Sequence, residues 1–248
     1  MKLEIAVVGV QGAVVAAEEG AHRIELCSAL ELGGLTPSQG LMESCLEAVA
    51  GAGDGRLEIH PLIRCRPGDF RYSEDELATM VREIRALLAQ GARGVVLGAL
   101  DGRKQLDVDA TRRLADAARD VDPEAELVFH RAVDETPDPA AAVGQLVELG
   151  FTRVLSSGGA AAAGKGLPML SRMVENAEGR LQVMAGGGLA IADIADMKRA
   201  GLDAVHLSAK RIVSPDGDGA GSAGGGPASY MVTDREIVRA AKAAVDDA

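Results

Sequence analysis

The side chains of this sequence best suited to chemistry are three imidazoles and the charged groups around them. His60, His130 and His206 fall at or near the ends of the short apolar runs LEIHPLIR, ELVFH and DAVHL. An imidazole titrates near neutral pH, and a neighbouring carboxylate such as Glu25 can hold it as a general acid or base. His22 sits before RIEL, in a helix-to-strand joint, and is expected to be structural. Glu4, Arg23 and Glu25 lie in two further apolar runs, Arg64, Arg66 and Asp69 in RCRPGDF, and Arg131 and Asp134 in HRAVDETPDP. Guanidinium groups bind oxyanions through paired donors, so Arg64, Arg66 and Arg131 are candidates to clamp an anionic substrate. Glu25, His60, His130 and Asp134 are the candidate acid–base residues.

Small-residue runs add a candidate anion seat. SSGGAAAAGKG contains Ser157 and Gly158, AGGGLA contains Gly187 and Gly188, and HLSAKR places Ser208 beside His206. Backbone N–H groups of Gly186 to Gly188 can approach an anion closely, although the same glycines would also serve a tight turn with positive φ. Among the cysteines, Cys27 alternates with Arg23 and Glu25, whereas Cys65 alternates away from Arg64 and Cys45 lies on a helix-like segment. Cu(I) prefers soft sulfur, which makes Cys27, with Met184 or a histidine, the candidate metal ligand. A lone buried cysteine can equally be a small hydrophobe.

These residues need a scaffold, and a repeated phrase supplies one. In EEGAHRIEL, AQGARGVVL, VELGFTRVL and KRAGLDAVHL a helix ends on Gly20, Gly91, Gly150 or Gly201 and a short strand follows. The strand candidates are Leu3–Val8, Arg23–Cys27, Leu57–Arg64, Gly94–Leu97, Glu126–His130, Arg153–Ser156, Leu181–Ala185 and Ala204–Leu207. Helical segments lie between them. Ser73 and Glu76 read as a capping box, Asp138 as an N-cap before Pro139, and Thr233 with Glu236 as the start of a last helix facing inward through Ile237, Ala240, Ala241 and Val245. Strands alternating with helices imply parallel pairing, and eight such units close into an α/β fold, the (β/α)8 TIM barrel. A doubly wound open sheet would need polar edge strands, and none of the eight is one.

Strand alternation points Arg23, Glu25 and Cys27 into the barrel together, and likewise His60, Leu62, Arg64 and Arg66. Glu4 is also expected inward, and His206 shares a face with Ser208. A barrel interior is normally apolar, so these charges must pair or bind something. A salt-bridged plug of Glu4, Arg23, Glu25 and Arg64 would satisfy that demand. It would not require Arg66, Asp69, Arg131 and Asp134 in the loops after the strands, where barrel enzymes build their sites.

The 248 residues suit one barrel domain, 1–248, with a flexible Gly-rich loop at about 214–229. Apolar residues make up 47% and charged residues 25%, enough for a sizeable core, while 2% aromatics leave that core to aliphatic side chains. The net charge of −11 argues against nucleic acid or an anionic membrane as partner. No window reaches the ~20 apolar residues of a membrane span, and a cytoplasmic location is expected. Three cysteines without metal-site spacing are expected to be reduced.

Taken together, RIELCSALELGGLTPSQGL, HPLIRCRPGDFRYSEDE, FHRAVDETPDP, LSSGG and HLSA resemble the CutC copper homeostasis family, over nearly the whole stretch from Glu4 to about Ser208. The resemblance implies a cytoplasmic barrel, dimeric or of higher order, associated by name with copper tolerance and copper binding. Glu4, Arg23, Glu25 and Cys27 match the first two strand motifs, His60, Arg64, Arg66, Gly68 and Asp69 the third, and His130, Arg131 and Asp134 the fifth. Family members often carry Cys where this chain has Ala6 and Arg71, and Pro where it has Cys65. Those departures weaken a thiolate copper site and leave the imidazole, guanidinium and carboxylate set whole. Two functions are therefore expected: a CutC-like protein binding Cu(I), or a barrel enzyme of lyase or isomerase type. The enzyme would act by acid–base chemistry on a small phosphorylated or carboxylated substrate.

Overall fold

The computed structural model describes residues 1–214 and 229–247. Residues 215–228, which hold most of the expected Gly-rich loop, lie outside the described residues. Eight parallel strands form a barrel: β1 (Lys2–Val7), β2 (Arg23–Leu26), β3 (Glu58–Pro61), β4 (Gly94–Leu97), β5 (Glu126–Phe129), β6 (Arg153–Ser156), β7 (Gln182–Ala185) and β8 (Ala204–Leu207). They neighbour one another in the order β3-β2-β1-β8-β7-β6-β5-β4, and a parallel bridge between Leu62 and Val96 joins the two ends. Past Pro61 the chain passes between its neighbours, Leu62 N–H donating to Leu26 and Ile63 N–H to Val96, so the ladder is shorter than the apolar run Leu57–Arg64.

Helices follow the strands in turn: α1 (Val10–Glu18), α2 (Gln39–Ala50), α3 (Glu74–Ala89), α4 (Val108–Arg119), α5 (Pro139–Glu148), α6 (Leu167–Ala177), α7 (Ile194–Arg199) and α8 (Arg235–Asp247). The (β/α)8 barrel is thus present as the alternation of the sequence requires. Ser73 and Glu76 close the capping box of α3, and Asp138 accepts the N–H groups of Ala140 and Ala141 at the start of α5, each cap contributing ~1 kcal/mol. Gly20, Gly91, Gly150 and Gly201 all have positive φ, which lets each helix turn sharply into the next strand. The start of α8 differs from expectation. Asp234, not Thr233, accepts the N–H groups of Glu236 and Ile237, so the helix begins one residue later. Its buried face runs through Val238, Ala241 and Val245, while Ala240 is exposed. An antiparallel pair, β9 (Lys210–Val213) and β10 (Tyr230–Thr233), extends beyond β8 and was not foreseen in the sequence.

Alternation along each strand divides the core in two. Ile24 and Leu26 join the large layer between strands and helices, whereas the barrel interior holds a separate apolar plug of Cys27, Leu62, Val96, Val128, Leu155, Met184 and Ala204. Charged side chains occupy the interior on either side of this plug. Among the described residues no helix is long and apolar enough to cross a membrane.

Candidate functional site

A cavity of about 630 Å³ opens at the carboxyl ends of the strands. Of the residues expected to build a site, Glu25, Arg64, His130, Arg131, Asp134 and His206 line it, together with Gly187, Gly188 and Ser208 from the loops after β7 and β8.

Its proton-transfer groups come from adjacent strands. Register places Glu4 of β1 beside both Arg23 of β2 and His206 of β8. One Glu4 oxygen takes the Arg23 Nε–H, and the other lies 2.7 Å from His206 Nδ1. Burial would raise the Glu4 carboxyl, but the Arg23 charge and the His206 hydrogen bond hold it well below the usual carboxylate range. Because Glu4 is ionised, Nδ1 carries a proton toward it, and Nε2 points the other way, 3.9 Å from Glu25 Oε2. Burial alone would lower the affinity of His206 for a proton, yet the Glu4 bond and the Glu25 charge raise it. Among the described residues Glu25 has no guanidinium partner, and burial pushes its carboxyl up to about 7, with His206 opposing and the Glu4 charge acting in the same direction. Glu25 and His206 are therefore two facing titratable groups, the carboxyl raised to about 7 and the imidazole with its affinity for a proton raised.

The cavity lining also holds a buried cation. Arg64 is only 6% exposed, and its terminal nitrogens donate to the carbonyls of Leu32, Gly34 and Gly68. Its guanidinium carbon lies over the Phe70 ring, 5.1 Å from the centroid, and its Nε has no partner among the described residues. No carboxylate among the described residues forms an ion pair with it, so Arg64 acts on the cavity as a buried, uncompensated positive charge rather than as a forked clamp. Arg131 is held differently. Its Nε donates to Asp134 at 2.9 Å and its Nη2 to Ser157 Oγ at 3.1 Å, leaving Nη1 unengaged among the described residues.

Asp134 also accepts from Ser156 Oγ, Ser157 Oγ and the N–H groups of Ser157 and Gly159. Its oxygens are saturated, which suits it to positioning Arg131 rather than to carrying a proton, the role expected from sequence. Gly187 lies under Arg131: its φ is +90°, and a Cβ there would stand 2.7 Å from the guanidinium carbon. The N–H groups of Gly187 and Gly188 have no acceptor among the described residues.

Several expected site residues lie elsewhere. His60 faces inward as the third residue of β3, but it lies four residues before Arg64, or ~13 Å along the chain, and does not line the cavity. Parity was right and depth was wrong. His130 is in place; its Nδ1 accepts the Ala132 N–H at 3.2 Å, and burial with the Arg64 charge lowers its pKa to about 3. Arg66 does not continue the inward face of β3, since it turns out to tie the loop together through Glu76, Asp69 and the carbonyls of Pro67, Asp69 and Arg71. Arg66 and Asp69 shape the loop and do not line the cavity. Ser157 and Gly158 support it from behind, Gly158 because a Cβ would stand 2.3 Å from the Gly166 carbonyl oxygen. Glu4 and Arg23 sit below the cavity floor.

Cys27 is the largest departure. It lies fully buried in the apolar plug, its thiol donates to the Val7 carbonyl at 3.6 Å, and burial followed by the Glu25 charge pushes its pKa up. Met184 Sδ, the second soft donor, faces Arg23 Nη2 at 3.9 Å. His22, as expected, is structural and accepts the Leu3 N–H. Sequence reasoning passed over Lys210 and Phe70 at the cavity, and over Glu58, Glu126 and Arg153 at the far end of the barrel. Their inward parity with His60 and His130 was the available signal for Glu58 and Glu126.

Comparison with known proteins bears on the whole barrel. Residues 1–211 match the model of the CutC family. The CutC family protein of Vibrio vulnificus (strain CMCP6) is 40% identical over 210 residues, covering 84% of this chain and 81% of its own. That of Treponema denticola is 37% identical over 217 residues, covering 87% and 84%. Among solved structures, CutC from Streptococcus agalactiae superposes with a TM-score of 0.76 at 27% identity, over 84% of this chain and 98% of that one. Thiamine phosphate pyrophosphorylase from Pyrococcus furiosus, at 14% identity and a TM-score of 0.59, shares the fold alone.

Proposed function

The chain belongs to the CutC family, and from that premise we propose that its barrel is an acid–base enzyme of lyase or isomerase type. Its substrate is a small phosphorylated or carboxylated molecule. The observation that carries this reading is the facing pair Glu25 and His206 in a cavity that the uncompensated Arg64 also lines. A buried cation without a counter-ion favours an anion beside it. Arg131, the Gly187 and Gly188 N–H groups and Lys210 at the rim would hold that anion. Glu25 and His206 Nε2 would then move a proton on and off the neighbouring atoms of the substrate, and Glu4 would keep the His206 ring turned toward it. His130, neutral and buried, lines the same wall as Arg64 and would contribute shape and polarity.

The test is a thermal-shift screen with phosphorylated and carboxylated metabolites. A ligand present at about 100 times its dissociation constant should stabilise the native protein by ~2.7 kcal/mol. Loss of that stabilisation in Arg131→Ala supports the reading, and a screen in which no anion stabilises the protein rejects it.

The family's name ties it to copper homeostasis, and Cu(I) is the form expected from a thiol site. The soft donors of this chain do not fit that ion, because Cys27 is sealed in the plug against Val7 and Met184 is turned to Arg23. The three free cysteines support a cytoplasmic, reducing location, and the family resemblance supports a homo-oligomer.

A further inference from the structure

The amino ends of the strands hold a second polar cluster that the cavity does not use. Glu58 opens β3, His60 follows two residues later on the same inward face, and Glu126 opens β5. One donor atom from each lies within 4.8 Å of the other two. Between them runs β4, whose inward residue at this level is Gly94. A Cβ there would stand 2.2 Å from the Glu126 carbonyl oxygen, so only glycine lets β5 approach and bring Glu126 toward His60 across the intervening strand.

His60 is the unusual member. It is 0% exposed, and among the described residues neither ring nitrogen has a hydrogen-bond partner, although Nε2 faces Glu126 Oε2 at 3.8 Å. A buried imidazole with two idle nitrogens is rarely left so, because each buried polar atom normally finds a partner. The two carboxylates are 27% and 21% exposed, which leaves a path from solvent to the imidazole.

We propose that Glu58, His60 and Glu126 form a binding site for a borderline divalent metal ion at the end of the barrel opposite the cavity. One imidazole and two carboxylates suit Zn(II) or Cu(II), and divalent copper is the tighter of the two on such donors. The site goes beyond the acid–base reading and does not depend on it. Arg23 Nη1 lies 3.4 Å from Glu58 and 3.9 Å from Glu126, and Arg153 Nη1 lies 3.2 Å from Glu126. These guanidinium groups orient the carboxylates, and each keeps another acceptor when an ion takes over: Arg23 keeps Glu4, and Arg153 keeps the Gln182 amide oxygen at 2.6 Å. Three carboxylates, Glu4, Glu58 and Glu126, stand against the guanidinium charges of Arg23 and Arg153 and the ammonium of Lys2. Lys2, 3.9 Å from Glu58, extends to solvent.

The experiment is titration of the full chain with Zn(II) and, separately, Cu(II) against a competing chelator, with Cu(II) electron paramagnetic resonance as a second readout. One equivalent should bind, and His60→Asn and Glu126→Gln should each weaken binding by more than about 10-fold. His22→Asn should leave it unchanged. The Cu(II) spectrum should show nitrogen coupling that disappears in His60→Asn. Should His60→Asn fail to fold, as judged by circular dichroism, Glu126→Gln at the barrel rim decides the matter. Absence of stoichiometric binding, or folded variants that bind as wild type does, would overturn the site.

Discussion

The His206 ring is suspended from Glu4, its Nδ1 2.7 Å from Oε1, and this single bond aims Nε2 at the cavity. Glu4 can do this because its second oxygen is neutralised by Arg23 at full burial. Replacing Glu4 with Gln should therefore lower the titration midpoint of His206, followed by the Cε1–H signal in proton NMR and assigned with His206→Asn. An unmoved midpoint would contradict the suspension. The same variant leaves Arg23 without its buried partner and should lose ~3–5 kcal/mol in urea unfolding.

His130 should make the protein acid-sensitive. It stays neutral in the fold down to about 3, whereas the unfolded chain takes up that proton near 6.5. Its contribution is complete above the unfolded value and is lost as pH falls toward the folded one, by up to ~1.4 kcal/mol per pH unit. The stability difference between wild type and His130→Asn should shift against wild type between about pH 6.5 and 4.5. A difference independent of pH would contradict a neutral His130.

Glu25 should act with the opposite sign. Its carboxyl is raised to about 7 in the fold from an unfolded value of 4.5, so its contribution is complete below 4.5 and fades as pH rises toward 7. Urea unfolding of wild type and Glu25→Gln across that window should show wild type losing ground as pH increases. A gain would place the carboxyl in an ion pair.

Gly187→Ala should damage both backbone and anion seat. A positive φ of 90° disfavours any side chain, and the added Cβ would push on Arg131. The expected loss is ~1–2 kcal/mol of stability, together with the stabilisation by anionic ligands in thermal shift. Arg131→Ala, at a half-exposed position, should lose ligand stabilisation with little change in the stability of the free protein.

Cys27 should be silent toward Cu(I). In competition with a Cu(I) chelator, wild type and Cys27→Ala should behave alike, because the thiol is sealed in the plug and donates to Val7. Tighter binding by wild type would restore the thiol site.

The barrel could be read in the sequence because its signals are local: Gly20, Gly91, Gly150 and Gly201 stop helices, Ser73 and Asp138 start them, and alternation sorts Ile24 from Glu25. The site could be read only in part. Parity told which face His60, Arg64 and His130 occupy but not their depth, which depends on where each strand begins in the barrel. Arg66 and Asp134 have the residue types of a binding and an acid–base group, and the hydrogen bonds that absorb them, to Glu76 and to the Ser156–Gly159 turn, are made ten or more residues away along the chain. Glu4 and His206 are 202 residues apart, and only barrel closure makes them neighbours.

The most direct test of acid–base chemistry is proton exchange. Wild-type protein incubated in D2O with a metabolite that stabilises it should wash out one carbon-bound proton signal in NMR, and Glu25→Gln, folded and still binding, should not. Retention of every signal by wild type, or equal wash-out by Glu25→Gln, would contradict a proton-transfer role for the pair Glu25 and His206.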